Sequence, residues 1–203
     1  MKKRLLERLS DISKVHHRAA FVDVEHHIKK HRGSDAFLQL ASKRYSCRGF
    51  SHRAVSASKI QIILEAGRLA PSAKNLQPVH VWVVSSDEAL AKLRTVHPCY
   101  DAPVVFLVGY NPSQAWVRAL DGKGSGEVDA AIVGTHMMLA AADVDLDSVW
   151  IGSFDPARLK ELFPETAGYE IALLLPVGHA ASGTVASERH GQRQELTGFA
   201  TEL

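Results

Sequence analysis

Apolar residues recur along the first thirty positions at helical intervals: Leu5, Leu9 and Ile12, then Phe21, Val24 and Ile28. Steps of three and four put each set on one face, so this segment predicts one or two amphipathic helices closed by Gly33. Ser34 then caps a short helix carrying Phe37, Leu38, Leu40 and Ala41 inward. Ile60, Ile63, Leu64 and Gly67 line one side of the next helix, opened by Ser56 or Ser58 and stopped by Pro71. The Val and Trp content of Val79–Ser85 predicts a strand, and Asp87–Arg94 a short helix. Pro103–Tyr110 is almost wholly apolar, as a strand buried on both faces requires. Glu127–Val144 is the most hydrophobic helix in the sequence, expected at the centre of the fold. Its apolar stripe is Ala131, Ile132, Thr135, Met138, Leu139 and Ala142, and His136 is expected as a hydrogen-bonded core residue. Ser148–Phe154 and Tyr169–Val177 read as the third and fourth strands. Asp155 and Pro156 start a helix between them, and 178–203 is an irregular tail. By itself, this alternation of strands and helices leans to a parallel α/β sheet.

Two stretches break the pattern. APSAKNLQP, residues 70–78, stops a helix and starts a strand with Ser72, Lys74, Asn75 and Gln77 between two prolines. That is more polarity than a connection needs, although Pro, Ser and Asn are also ordinary turn residues. Residues 111–127, NPSQAWVRALDGKGSGE, form a long polar loop anchored by Trp116, either a lid or a disordered segment. Its GKGSG lacks the spacing of a phosphate loop.

Composition narrows the class. A chain of 203 residues with 46% hydrophobic and 23% charged positions builds a sizeable core as a single body. No apolar run approaches the ~18 residues of a membrane span. Arg4, Glu7, Arg8 and Asp11 interrupt any signal-peptide core, so a cytoplasmic protein is expected. Cys47 and Cys99 are too few for a disulfide framework and read as small buried residues. Residues 1–33 carry nine Lys/Arg against four Asp/Glu and form a basic helical extension; 34–203 form the main domain. Without interleaved aromatics the basic charge describes a solvated face rather than a nucleic-acid site. His27 and His31 share a helical face, but no carboxylate or cysteine completes a metal set.

The chemistry must come from elsewhere. GxGxxG, GxSxG, HExxH and CxxC are all absent. In KRYSCR, Arg44, Ser46 and Arg48 alternate, so an extended chain turns two guanidiniums and a hydroxyl the same way, which suits a phosphate group.

Taken in order, RYSCRGF, APSAKNLQP, DAAIVGTHMMLAA, SVWIGSFDPARL, LLPVGH and SERHGQRQEL resemble the FMN-dependent nitroreductase family over roughly residues 35–199. The resemblance implies an α+β fold with a mostly antiparallel central sheet flanked by helices, in an intertwined homodimer with FMN at the interface. It matches Arg44, Tyr45 and Ser46 to phosphate and ribityl contacts, and Arg48 to the basic group near the pyrimidine side of the flavin. Pro71, Ser72, Ala73, Asn75 and Gln77 match a loop reaching the flavin from the other subunit. Trp150, Ile151 and Gly152 match the stretch beside the ring edge, and Arg193 a phosphate-binding position in the tail. The implied activity is NADH- or NADPH-dependent reduction of nitroaromatic, quinone or related small-molecule acceptors. It runs in ping-pong order through FMN, with no catalytic side chain, no metal, no nucleic acid and no membrane. Another flavin enzyme on the same scaffold, a dehalogenase or dehydrogenase, and a flavin-binding storage protein stay open. Asp145 and Asp147 stand where the family commonly has glycines, Val79 where an aromatic often follows the QP pair, and Gln194 where a second basic residue is common.

Overall fold

The computed structural model describes residues 32–203, so the helices expected before them and the His27–His31 pair lie outside the described residues. Ser42–His190 form one compact unit; of the described residues, 32–41 and 191–203 belong to a second. The first helix, α1 (Arg32–Lys43), runs across Gly33 and Ser34, where the sequence placed a boundary. In the second unit the tail also contributes a single helical turn, α6 (Leu196–Phe199).

The larger unit is built on four strands: β1 (Val79–Val84), β2 (Val104–Tyr110), β3 (Asp147–Ser148) and β4 (Glu170–Gly178), in the order β1-β2-β4-β3. Every ladder is antiparallel, so the parallel sheet suggested by simple alternation is wrong and the α+β arrangement holds. Helices do follow strands here, but the chain returns to the same end of the sheet before re-entering it, as antiparallel neighbours require.

Alternation in the central strands divides the core in two. Val105 and Leu107 of β2 face one side with Leu174 of β4; Val104, Phe106 and Val108 face the other with Leu173, Leu175 and Val177. Pairing slips between Val108 and Gly109, which puts Ile171 on the same side as Leu174. The first side is closed by α3 (Asp87–Arg94) through Leu90 and Leu93, by α5 (Pro156–Leu162) through Leu159, and by Cys47, Phe50, Val149 and Ile151. The second is closed by α2 (Ala57–Arg68) and α4 (Gly126–Asp143), with Ile63 against Ala130, Val133, Met137 and Ala141. Each fully buried Leu, Ile or Phe here contributes about 1.5–3 kcal/mol relative to exposure.

Local chemistry sets the helix starts. Ser56 accepts from Lys59 N–H, Ser86 from Ala89 N–H, and Asp155 from Arg158 N–H with Pro156 behind it. The expected strand over Ser148–Phe154 is much shorter: only Asp147 and Ser148 pair regularly, and Ile151 makes a separate bridge to Leu174.

The long helix α4 also departs from expectation. Its buried face is Ala130, Val133, Gly134, Met137 and Ala141, whereas the predicted stripe, Ala131, Ile132, Thr135, Met138, Leu139 and Ala142, is half-buried or exposed. His136 is an exposed residue, its Nδ1 2.9 Å from the Ile132 carbonyl, and not part of the core. Among the described residues no helix is long and apolar enough to cross a membrane.

Candidate functional site

Residues 44–48 leave α1 extended and run beside β3. Ser46 bridges Ser148 in parallel, the one parallel bridge among the described residues, and Cys47 N–H donates to the Ser148 carbonyl at 3.0 Å. Extension enforces the alternation read from KRYSCR. Tyr45 and Cys47 turn to the core, while Arg44 and Ser46 are half-buried and Arg48 is exposed on the opposite side. Arg48 Nη1 lies 3.5 Å from the Ser46 carbonyl, to which it donates.

Beneath them is a small polar cluster. Burial pushes the Tyr45 phenol well above its ordinary pKa, with Cys47 and Asp147 beside it adding to the rise. Burial also raises the Cys47 thiol, whose Sγ donates to Gly49 O at 3.3 Å. Asp147 accepts from Ala180 N–H at 3.0 Å, tying β3 to the chain beyond β4. A cleft of about 210 Å³ opens here, lined by Lys43, Arg44, Tyr45, Asp145, Asp147 and Ser148 among others. Ser148 is 2% exposed, and its Oγ has no hydrogen-bond partner. A buried hydroxyl without a partner costs free energy until a ligand or water supplies one.

The second candidate segment, 71–77, is a strained turn. Lys74, Asn75 and Gln77 adopt φ of 49°, 55° and 51°, in the left-handed region that non-glycine residues rarely enter. Gln77 N–H donates to Ser72 Oγ at 2.9 Å, and Asn75 N–H to the Ser72 carbonyl at 3.0 Å. Pro71, Asn75 and Gln77 are exposed; Ser72 and Ala73 are half-buried. Ser72 and Gln77 line a second cleft, of about 360 Å³, with Leu64, Val79, Val81 and Val133.

Residues 116–125, expected as a lid or disordered, form a small hairpin. Val117 pairs with Gly124, Ser125 N–H donates to the Trp116 carbonyl, and a two-pronged Arg118–Asp121 ion pair closes the tip. Lys74 Nζ stands 5.8 Å from the Trp116 ring centroid, a cation over an aromatic face.

Trp150, Ile151 and Gly152 are held from both sides. Ile151 exchanges two backbone hydrogen bonds with Leu174. The Trp150 indole lies on α4 where Gly134 has no side chain; a Cβ there would sit 2.8 Å from Trp150 Cζ3. Gly134 thus lets the indole reach the helix, leaving Trp150 36% exposed and Gly152 exposed. Arg193 belongs to the second unit, where it is exposed and donates from Nη1 to the Gln192 carbonyl.

The larger unit therefore sets Arg44 and Tyr45 on the β3 cleft with 46–48 following beside β3, 72–77 around the turn, and 150–152 against α4. Three residues that hold these segments were not singled out by sequence: Ser148, Gly134 and Asp129. Asp129 is the one charged side chain buried among the described residues, and it accepts from Ala73 N–H. The available signal was an acid in the first turn of an otherwise apolar helix.

Comparison with known proteins agrees with this arrangement. Residues 41–97 and 91–179 match the sequence model of the nitroreductase family. A crystal structure of a nitroreductase family protein from Clostridium difficile 630 aligns with TM-score 0.76 and 34% identity, over 81% of this chain and 96% of that one. A Desulfovibrio desulfuricans protein provisionally named a nitroreductase, solved in complex with FMN, aligns with TM-score 0.66 and 26% identity over 82% and 96%. A Methanothermobacter thermautotrophicus protein provisionally named NADH dehydrogenase/NAD(P)H nitroreductase is 32% identical over 121 residues; the match spans 58% of this chain and 61% of that protein's length. With the antiparallel sheet, the segments around α4 and these matches in agreement, the chain belongs to the nitroreductase family.

Proposed function

We propose that the protein is an FMN-dependent oxidoreductase that uses NADH or NADPH to reduce nitroaromatic, quinone or related acceptors in ping-pong order, as a homodimer. The observation that carries this reading is the cleft beside β3, lined by Arg44 and Tyr45, with Ser46 bridged to Ser148 next to it, so that a guanidinium and two hydroxyls follow one another along the chain. That donor set fits the phosphate and ribityl end of FMN, since a guanidinium binds phosphate oxygens in pairs and the hydroxyls each donate or accept. FMN, when bound, supplies the hydride chemistry; the protein supplies binding, orientation and charge. In this reading Arg44, Tyr45 and Ser46 hold the phosphate and ribityl end. Arg48 sets a positive charge at the pyrimidine side, and Trp150, Ile151 and Gly152 border the ring edge and limit water there.

Two observations favour a second chain in the site. The first is the outer face of α4, where Val128, Ile132 and Leu139 leave apolar surface on a helix that is hydrophobic all round. The second is distance. Asp129, at the turn, and Ala142, at the β3 cleft, are thirteen residues apart on α4, about 20 Å at ~1.5 Å per residue. Segments 44–48 and 71–77 of one chain therefore stand toward opposite ends of one helix. A partner's loop completing each site, with Pro71, Ser72, Ala73, Asn75 and Gln77 contacting the partner's flavin, accounts for both.

The test is to purify the protein, record its visible spectrum, reduce it anaerobically with NADH or NADPH, and then add a nitroaromatic. The expected result is a yellow protein bleached by one nicotinamide and recoloured by the acceptor. A colourless protein that cannot be reconstituted with FMN overturns the reading. Bound FMN that neither nicotinamide bleaches points to storage, and prompt bleaching with poor nitro reduction to a dehalogenase or dehydrogenase on this scaffold.

A further inference from the structure

Asp129 divides its carboxylate between two segments far apart in the chain. Oδ1 accepts from Ala73 N–H at 2.9 Å, and Oδ2 accepts from the Ser125 hydroxyl at 2.8 Å. Ala73 opens the turn in which Lys74, Asn75 and Gln77 are left-handed, and Ser125 closes the base of the 116–125 hairpin through its bond to the Trp116 carbonyl. An acid in the first turn of a helix is ordinarily explained by the helix dipole, which favours negative charge there. That account fits exposed acids. Asp129 is 2% exposed with both oxygens committed, and burying a carboxylate is costly unless hydrogen bonds offset it. Three non-glycine residues held at positive φ within four positions also need surroundings that enforce them. The Ala73 bond fixes the start of that turn from outside it. The Lys74–Trp116 contact provides a second link between the same two segments.

We propose that Asp129 is a positioning residue that locks the turn 73–77 in the conformation presenting Ser72, Asn75 and Gln77 to the flavin, and couples that turn to the 116–125 hairpin, whose Trp116, beside Lys74 of the turn, the proposal sets against the acceptor. The proposal rests on the FMN reading above. Loosening the carboxylate frees both segments, whereas loosening Ser125 frees the hairpin alone.

The test uses full-length apo-dimer titrated with FMN by flavin fluorescence, with dimer mass checked by light scattering and KM measured for a nitroaromatic. Asp129→Ala should weaken FMN at least 10-fold with the dimer intact, and raise the acceptor KM. Asp129→Asn should stay within about threefold, because its carbonyl still accepts from Ala73 and its amide donates to Ser125 Oγ. Ser125→Ala should leave FMN affinity within about threefold while raising KM several-fold. Should Asp129→Ala fail to fold, Ala73→Pro removes the same hydrogen bond from the surface side, at a first-turn position proline tolerates, and should weaken FMN as much. FMN affinity at the wild-type level in dimeric Asp129→Ala or in Ala73→Pro overturns the proposal and leaves the FMN reading standing. Failure of the wild type itself to bind FMN overturns both.

Discussion

The two stretches proposed to meet the flavin, 44–48 and 71–77, are built in opposite ways. Residues 44–48 are extended and supported by a neighbouring strand, so the ordinary alternation of an extended chain sorts Tyr45 and Cys47 inward from Arg44, Ser46 and Arg48. Residues 71–77 hold three left-handed non-glycine positions, and the bond that fixes their start comes from Asp129, 56 positions away. One segment is ordered by its own period and the other by a distant residue. The first can be damaged only at its side chains; the second can be dismantled without touching any group that meets a ligand.

The largest effect is expected at the first segment. Arg44→Ala with Ser46→Ala removes a charge-assisted contact of about 1.5–3 kcal/mol and a neutral one of about 1 kcal/mol, so FMN affinity should fall about 100-fold or more by equilibrium titration. Ser72→Ala with Asn75→Ala removes neutral contacts only and should cost about 10- to 30-fold in the same assay. The pair also reports on the two-chain arrangement. Mixed dimers of the two double mutants place both defects at one FMN site and none at the other, so they should regain one high-affinity FMN per dimer. A mixed dimer without that site would place both segments around the flavin of one chain.

The same contrast explains what the sequence made legible. The helix caps at Ser56 and Asp155, the doubly buried strand β2 and the burial of Cys47 and Cys99 follow from local pattern, and so do the two faces of 44–48. Strand direction did not, because periodicity is the same in parallel and antiparallel sheets; the family resemblance supplied it. The faces of α4 were misassigned for a related reason. A helix apolar on every side carries no periodic signal to say which side meets the sheet, and its small residues, Ala130, Gly134 and Ala141, face inward because the layers approach closely there. Asp129 and Ser148 were invisible because their roles depend on partners brought together only by folding.

Thiol chemistry separates the regions more gently. Burial raises the Cys47 thiol and pushes Cys99 up to about 12, and the thiolate is the reactive form. Native protein at pH 8 should therefore label at well under one thiol per chain with an aromatic disulfide reagent, and at two after denaturation. Prompt labelling of Cys47 would mean that segment 44–48 opens readily, against its sheet support. The sign of the pH dependence follows. Native thiols stay protonated while those of the unfolded chain ionise from about pH 9, so stability should decline as pH rises from 9 toward 12. Replacing Cys99 with Ala should flatten that decline.

The smallest effect tests strain itself. Asp145, on the lining of the β3 cleft, is left-handed at φ 55°, so the turn keeps its shape at the expense of an unfavourable backbone. Its ion pair with Lys43 is long, at 3.4 Å, and both side chains are mostly exposed, so it offsets little. Asp145→Gly relieves the strain and loses some of that gain to the freer unfolded chain. The net should be a stabilisation of up to about 1 kcal/mol, read as a melting temperature higher by about 2–4 °C for a chain of this size. Asp145 lines the β3 cleft, so losing its negative charge there should leave FMN affinity equal or higher. Gln77→Gly removes the same kind of strain from the other segment and should give a similar thermal gain, but there the lost side chain is a neutral amide proposed to contact the flavin, so FMN binding should weaken. Weaker FMN binding in both variants would erase the distinction between a turn whose acidic side chain does not hold the flavin and a turn whose side chain does.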